Sequence, residues 1–169
     1  MPYSNYTQLE KQTMRRTTLA KKLKYGIPEI RLMLVREPRK TEMVTITTPE
    51  DAAIYLEPLK LYPEEQFVSL HMDARHQLIG YHLVSHGTLS SSLVHPREVF
   101  KAALLANSHT ILLAHNHPTG RTSPSDEDLQ TTEQLVKAGA LLGVSILDHI
   151  IVGDSFYSIR ENYPSLFKG

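Results

Sequence analysis

His115, His117 and Asp128 are the residues of this chain whose types and spacing best suit chemistry. Two positions apart on an extended segment, the imidazoles of His115 and His117 leave from the same face, so both can meet one ion at about 2.0–2.1 Å. Asp128 follows eleven residues later, one turn into a predicted helix. A loop-then-helix return carries its carboxylate back to the strand end. Two nitrogens and one oxygen make a borderline-soft set that suits zinc, with iron or manganese as substitutes. Three protein ligands leave the fourth tetrahedral position for water, which is the catalytic rather than the structural arrangement. The chain has no cysteine, which excludes thiolate nucleophiles, iron–sulfur clusters and every cysteine-based zinc site.

The elements that must hold these residues read as follows. Thr110–Ala114 is a short apolar strand, and a polar loop runs from Asn116 to Ser123, turned by Pro118-Thr119-Gly120. Ser123-Pro124-Ser125-Asp126-Glu127 opens a helix with cap, proline and acids in order. That helix carries Leu129, Leu135, Val136, Ala138 and Leu141 and stops at Gly143. Upstream, Thr48-Pro49-Glu50-Asp51 starts a helix that Pro58 disrupts. Gln66–Met72 and Leu78–His86 read as a hairpin around a turn at residues 73–76. Pro96–Ala106 is a helix with Val99, Ala102, Ala103 and Ala106 on one face. Val144–Val152 and Phe156–Arg160 are strands about a turn at 153–155, and Ile30–Arg36 is a further short strand. The class is α/β or mixed α+β: one sheet flanked by helices, antiparallel wherever a hairpin joins neighbours.

The length of 169 residues suits one domain with a short extension, divided here as 1–44 and 45–169. The formal net charge of zero hides an asymmetry. Residues 1–40 hold ten basic and three acidic side chains, a net +7, and the remainder is −7. Such an arm can contact nucleic acid, although a solvated lead-in is the plainer reading. No apolar run reaches the roughly 18 residues of a spanning helix, and the polar N-terminus lacks a signal-peptide pattern. The expectation is a cytoplasmic protein with no membrane contact.

The spacing His115-x-His117, seven residues, Ser125, two residues, Asp128 resembles the JAMM motif of the JAB/MPN metalloenzyme domains. Three stretches resemble the RadC branch: Gly87–Phe100, His115–Gly120 and Leu147–Gly153. The likeness covers roughly residues 45–162. Thr119 stands where RadC proteins usually have serine. The helix-hairpin-helix region of longer RadC proteins is not recognisable in residues 1–44. The resemblance implies a JAB/MPN-like (cytidine-deaminase-like) fold with a central mixed sheet flanked by helices. It also implies a single zinc and hydrolysis of peptide or isopeptide bonds in a peptide or protein substrate. A glutamate working on the attacking water is implied as well; Glu65 fits that pattern, with Glu64 as its rival. Ser125 would help stabilise the oxyanion, and it is equally placed to satisfy free N–H groups at the helix start.

Other candidates are cooler. His149 is read as a packed strand residue, with ligand orientation as the alternative. His71 shares a strand face with Glu65 and could border the site. Asp148 could replace Asp128 as the acidic ligand, though the spacing does not favour it. His76, His82, His86, His95 and His109 read as turn, strand-surface and cap residues. A second class of function, a DNA-associated accessory module as RadC proteins are historically labelled, is supported here only by the basic arm. Zinc deaminase chemistry would need a cysteine pair, and two-metal nuclease chemistry more carboxylates.

Overall fold

The computed structural model describes residues 43–87 and 94–168. The expected strand at 30–36, the basic arm and residues 88–93 of the RadC-like stretch lie outside the described residues. Helix α1 (Pro49–Leu56) begins at a capping box. Thr48 accepts from the Asp51 N–H at 3.2 Å, and the Asp51 carboxylate accepts from the Thr48 N–H at 3.0 Å. A 3₁₀ turn containing Pro58 (Glu57–Leu61) follows. Strand β1 (Gln66–Met72) returns as β2 (Leu78–His86). Asp73 accepts from the N–H groups of Arg75 and Gln77 to hold that turn, and His76 sits there at φ 58°.

Helix α2 (Pro96–Leu105) is capped by His95, whose Nδ1 accepts from the Arg97 N–H. Then come β3 (Thr110–Asn116), α3 (Asp126–Leu142), β4 (Ser145–Val152), β5 (Phe156–Ser158) and the short α4 (Ile159–Asn162). The five strands lie in the order β2-β1-β3-β4-β5. Among the described residues only β3 and β4 run parallel; the other pairs are antiparallel. The fold is thus a mixed α/β sheet flanked by helices.

Parity along the strands divides the core into two faces. Val68, Leu70, Met72, Leu112, Ala114, Ile150 and Val152 pack with Ala52 and Leu56 of α1. Phe67, Ile111, Leu113 and Ile146 pack with Val99, Phe100 and Ala103 of α2 and with Leu135 and Val136 of α3. Strand β3 is buried along its whole length because β1 and β4 pair with it on either side.

Several boundaries differ from the sequence reading. Strand β3 runs two residues further than Ala114, because His115 and Asn116 still pair with Ile151 and Val152 of β4. The cap of α3 is Ser125, two residues later than Ser123; Pro124 precedes the helix instead of opening it. The last strand stops at Ser158, whose hydroxyl accepts from the Glu161 N–H and starts α4. Phe100, not Ala102, completes the buried face of α2. Leu141 is 89 % exposed. The seam of α3 runs instead through Thr132, Leu135, Val136 and Gly139. A Cβ on Gly139 would stand 2.4 Å from the Val144 carbonyl oxygen, so this glycine lets α3 meet the start of β4.

Candidate metal centre

The site forms where β3 ends and α3 begins, inside a β-helix-β unit. This is the carboxyl edge of the parallel strand pair, where open α/β sheets tend to place ligands. Strand β3 delivers His115. One further residue brings His117, whose N–H donates to the Val152 carbonyl at 2.9 Å. The chain then turns over Gly120, at φ 80°, whose N–H donates to the His117 carbonyl. Gly153 allows this turn to lie against the β4–β5 corner; a Cβ there would fall 2.3 Å from the Gly120 carbonyl oxygen. Asp128, the third residue of α3, closes the set.

His115 Nε2, His117 Nε2 and a carboxylate oxygen of Asp128 all lie within 4.8 Å of one another. The two Nε2 atoms are 3.0 Å apart, and His115 Nε2 is 3.2 Å from Asp128 Oδ1. His117 Nε2 is 3.6 Å from Asp128 Oδ2. The other nitrogen of each ring is engaged elsewhere. His117 Nδ1 lies 2.7 Å from the Arg121 carbonyl, which can only accept, so Nδ1 carries the proton and Nε2 of the neutral ring is bare. His115 Nδ1 lies 2.9 Å from His149 Nε2. Electron-pair donors therefore converge from three side chains, two of them buried, and a divalent cation suits that arrangement.

The electrostatics agree. Burial pushes the Asp128 carboxyl up, but the His115 and His117 imidazoles and the Ser125 hydroxyl beside it outweigh this and hold the group well below the usual carboxylate range. The Asp128 carboxylate facing its Nε2, which favours the protonated ring, raises His117 above the ordinary histidine value. Burial, with His115 beside it, holds His149 well below that value.

Ser125 caps α3. Its hydroxyl accepts from the Asp128 N–H at 3.2 Å and donates to Asp128 Oδ2 at 2.7 Å, while its N–H donates to the same oxygen at 2.8 Å. It thereby fixes the rotamer of Asp128. A cavity of about 310 Å³ opens over the site, lined by Glu65, His117, Arg121, Ser125, Glu127 and Asp128. Glu65 is half-buried and lines this cavity; Glu64 is exposed and does not.

The structure places three further candidates of the sequence reading. His149 is not merely packed, since it touches His115 directly. His71 does not border the site. It lies four residues along β1 from Phe67, the partner of His115, and is buried between Ser69 and Ser108. Asp148 stays out of the His115–His117–Asp128 cluster, in line with the spacing. Its carboxylate accepts from the Ser158 hydroxyl and from the N–H groups of His149 and Arg160, tying β4 to α4.

Two residues went unnoticed in the sequence. Asn116 accepts from the Gln66 N–H at 2.7 Å and donates to the carbonyls of Tyr62 and Glu64, so it clamps the backbone on both sides of Glu65. Its place between the two histidines was the available signal. Thr132 bridges His149 and the Asp128 carbonyl. Its position one turn after Asp128 was the signal there.

A mixed sheet with a His-His-Asp group at the end of a parallel strand is consistent with a JAB-type domain. A family model described as the RadC-like JAB domain matches residues 46–164, and the chain belongs to that family. It is 44 % identical over 124 residues to a UPF0758 protein of Methanosarcina mazei, covering 73 % of this chain and 52 % of that one. It is 44 % identical over 128 residues to a UPF0758 protein of Staphylococcus haemolyticus, covering 74 % and 56 %. With a UPF0758 protein of Shouchella clausii it shares 45 % over 130 residues, covering 75 % and 56 %. The chain spans about half the length of these curated relatives. No helix among the described residues is long and apolar enough to cross a membrane.

Proposed function

We propose that this domain is a zinc-dependent hydrolase of amide bonds in peptide or isopeptide linkages. The observation that carries the reading is the convergence of His115 Nε2, His117 Nε2 and the Asp128 carboxylate beside a cavity that Glu65 also lines. Zinc held by these three residues would supply Lewis acidity and lower the pKa of its water towards about 7. Glu65 takes a proton from the attacking water and returns it to the leaving nitrogen, so that water and amide become acid and amine. Ser125 holds the Asp128 carboxylate in place. Its hydroxyl proton, now given to Asp128 Oδ2, is also the one it would lend to an oxyanion. Asn116 keeps the Glu65 backbone against β3.

Metal analysis of the purified protein, followed by hydrolysis of peptide and isopeptide substrates by wild type and Glu65→Gln, tests this. The expected outcome is one zinc per chain in both proteins and turnover lower by about 10²–10⁴ in the variant. Absence of zinc from protein prepared with zinc and without chelator contradicts the reading, as do equal rates in the two proteins.

A second reading, contact with nucleic acid, rests on the net +7 of residues 1–40. DNA affinity that falls steeply with salt and vanishes on removal of those residues supports it. A flat salt dependence counts against it.

A further inference from the structure

The hydrogen bonds behind the ligands have a direction. Thr132 Oγ1 lies 2.6 Å from the Asp128 carbonyl oxygen and 2.6 Å from His149 Nδ1. A carbonyl only accepts, so the one hydroxyl proton of Thr132 goes to Asp128. The Thr132 oxygen therefore faces His149 as an acceptor, and His149 Nδ1 carries a proton. His149 is fully buried, with a hydroxyl on one side and an imidazole on the other, so the ring is neutral and has no second proton. Its Nε2 is then an acceptor, and the atom facing it at 2.9 Å, His115 Nδ1, is the donor. A neutral His115 protonated at Nδ1 is bare at Nε2.

We propose that Thr132 and His149 are positioning residues: with the Asp128 carbonyl they form a relay that holds His115 as its Nδ1–H tautomer and presents Nε2 as a ligand atom. The purpose assigned to the relay rests on the metal reading above; the tautomer itself belongs to the protein with or without metal. The relay begins and ends on Asp128. Its main-chain oxygen orients Thr132, and its carboxylate stands 3.2 Å from the Nε2 that the relay leaves bare. Helix α3 thus delivers the oxygen ligand and, one turn later, the residue that prepares the nitrogen ligand. Phe67 keeps the two rings in register. It stacks on His115 at 6.0 Å with 7° between planes and meets His149 edge-on at 5.3 Å.

The test is the imidazole ¹H–¹⁵N long-range correlation spectrum of chelator-treated protein, recorded at about pH 8 so that ordinary histidines are neutral, joined to zinc affinity by chelator competition. In wild type, His115 and His149 both appear as Nδ1–H tautomers. Thr132→Val keeps the shape but removes the acceptor. The His149 proton then moves to Nε2, His115 becomes Nε2–H and donates to Asp128, and zinc binds about 10- to 100-fold more weakly. Thr132→Ser restores both readouts. His149→Gln, which still offers an acceptor to His115 Nδ1, binds zinc more tightly than His149→Phe, which offers none. A wild-type spectrum with either ring protonated at Nε2 overturns the proposal, as does a Thr132→Val protein with wild-type tautomers and affinity. If wild type takes up no zinc, the metal reading falls while the spectra still decide the relay.

Discussion

Acid should weaken this domain through one histidine remote from the proposed metal centre. His71 is 2 % exposed, with Nε2 3.2 Å from the Ser69 hydroxyl and Nδ1 3.1 Å from the Ser108 hydroxyl. Burial first, and the neighbouring His82 second, push its pKa down from 6.5 to about 4. The folded value lies below the unfolded one, so the unfolded chain binds the proton more readily. Stability is fully present above about pH 6.5 and is lost as pH falls towards 4. Between about pH 7.5 and 5.0 the loss from this group is about 2 kcal/mol, rising to about 3 kcal/mol below pH 4. Urea unfolding followed by circular dichroism, in chelator at both pH values, reads it as a lower midpoint at unchanged slope. The comparison is His71→Gln, which can still bond the two hydroxyls but does not titrate. Other groups titrate alike in both proteins, so wild type should lose about 2 kcal/mol more than the variant over that interval. Equal losses in the two proteins would refute the assignment.

Three further outcomes follow from the loop and caps around the site. Gly153→Ala places a Cβ 2.3 Å from the Gly120 carbonyl and displaces the turn that returns from His117. Zinc affinity should fall about tenfold with the circular dichroism spectrum retained, and an unchanged affinity by chelator competition would show that the turn does not position His117. Asn116→Ala removes three hydrogen bonds and strands the Gln66 N–H, which should cost about 1–3 kcal/mol in urea unfolding while zinc stoichiometry holds. Loss of zinc in that variant would mean Asn116 supports the histidines more than Glu65. Ser125→Ala should cost about 1 kcal/mol as a lost helix cap and also weaken zinc binding, because Asp128 Oδ2 loses the hydroxyl that orients it. A stability loss with unchanged zinc affinity would leave only the cap.

The sequence exposed those features that rest on local rules. Strands β1 and β2 are bounded as their apolar patterns and the Asp73–His76 turn dictate, and α1 starts at Thr48 because the cap, proline and acid fall in order. Gly143 ends α3 at φ 69°, in the left-handed cap conformation that glycine adopts readily. Where tertiary pairing decides, local reading falls short. Asn116 looks like the start of a polar loop, yet β4 pairs with His115 and Asn116 alike and extends β3. Phe100 was missed because alanine spacing marked a neighbouring face of α2. The clustering of His115, His117 and Asp128 was legible because motif spacing carries it. The support behind it was not: Thr132 and His149 are 17 residues apart, and only the packing of α3 against β4 joins them. Asp148 and His149 are adjacent in sequence, but strand parity sends one to α4 and the other to His115.

Anomalous diffraction from crystals of the zinc-loaded protein, recorded at the zinc edge, tests the central claim most directly. The account predicts one peak of full occupancy bounded by His115 Nε2, His117 Nε2 and a carboxylate oxygen of Asp128, with nitrogen distances of about 2.0–2.1 Å. Zinc bound through other residues, or no ordered zinc between these three, would contradict it.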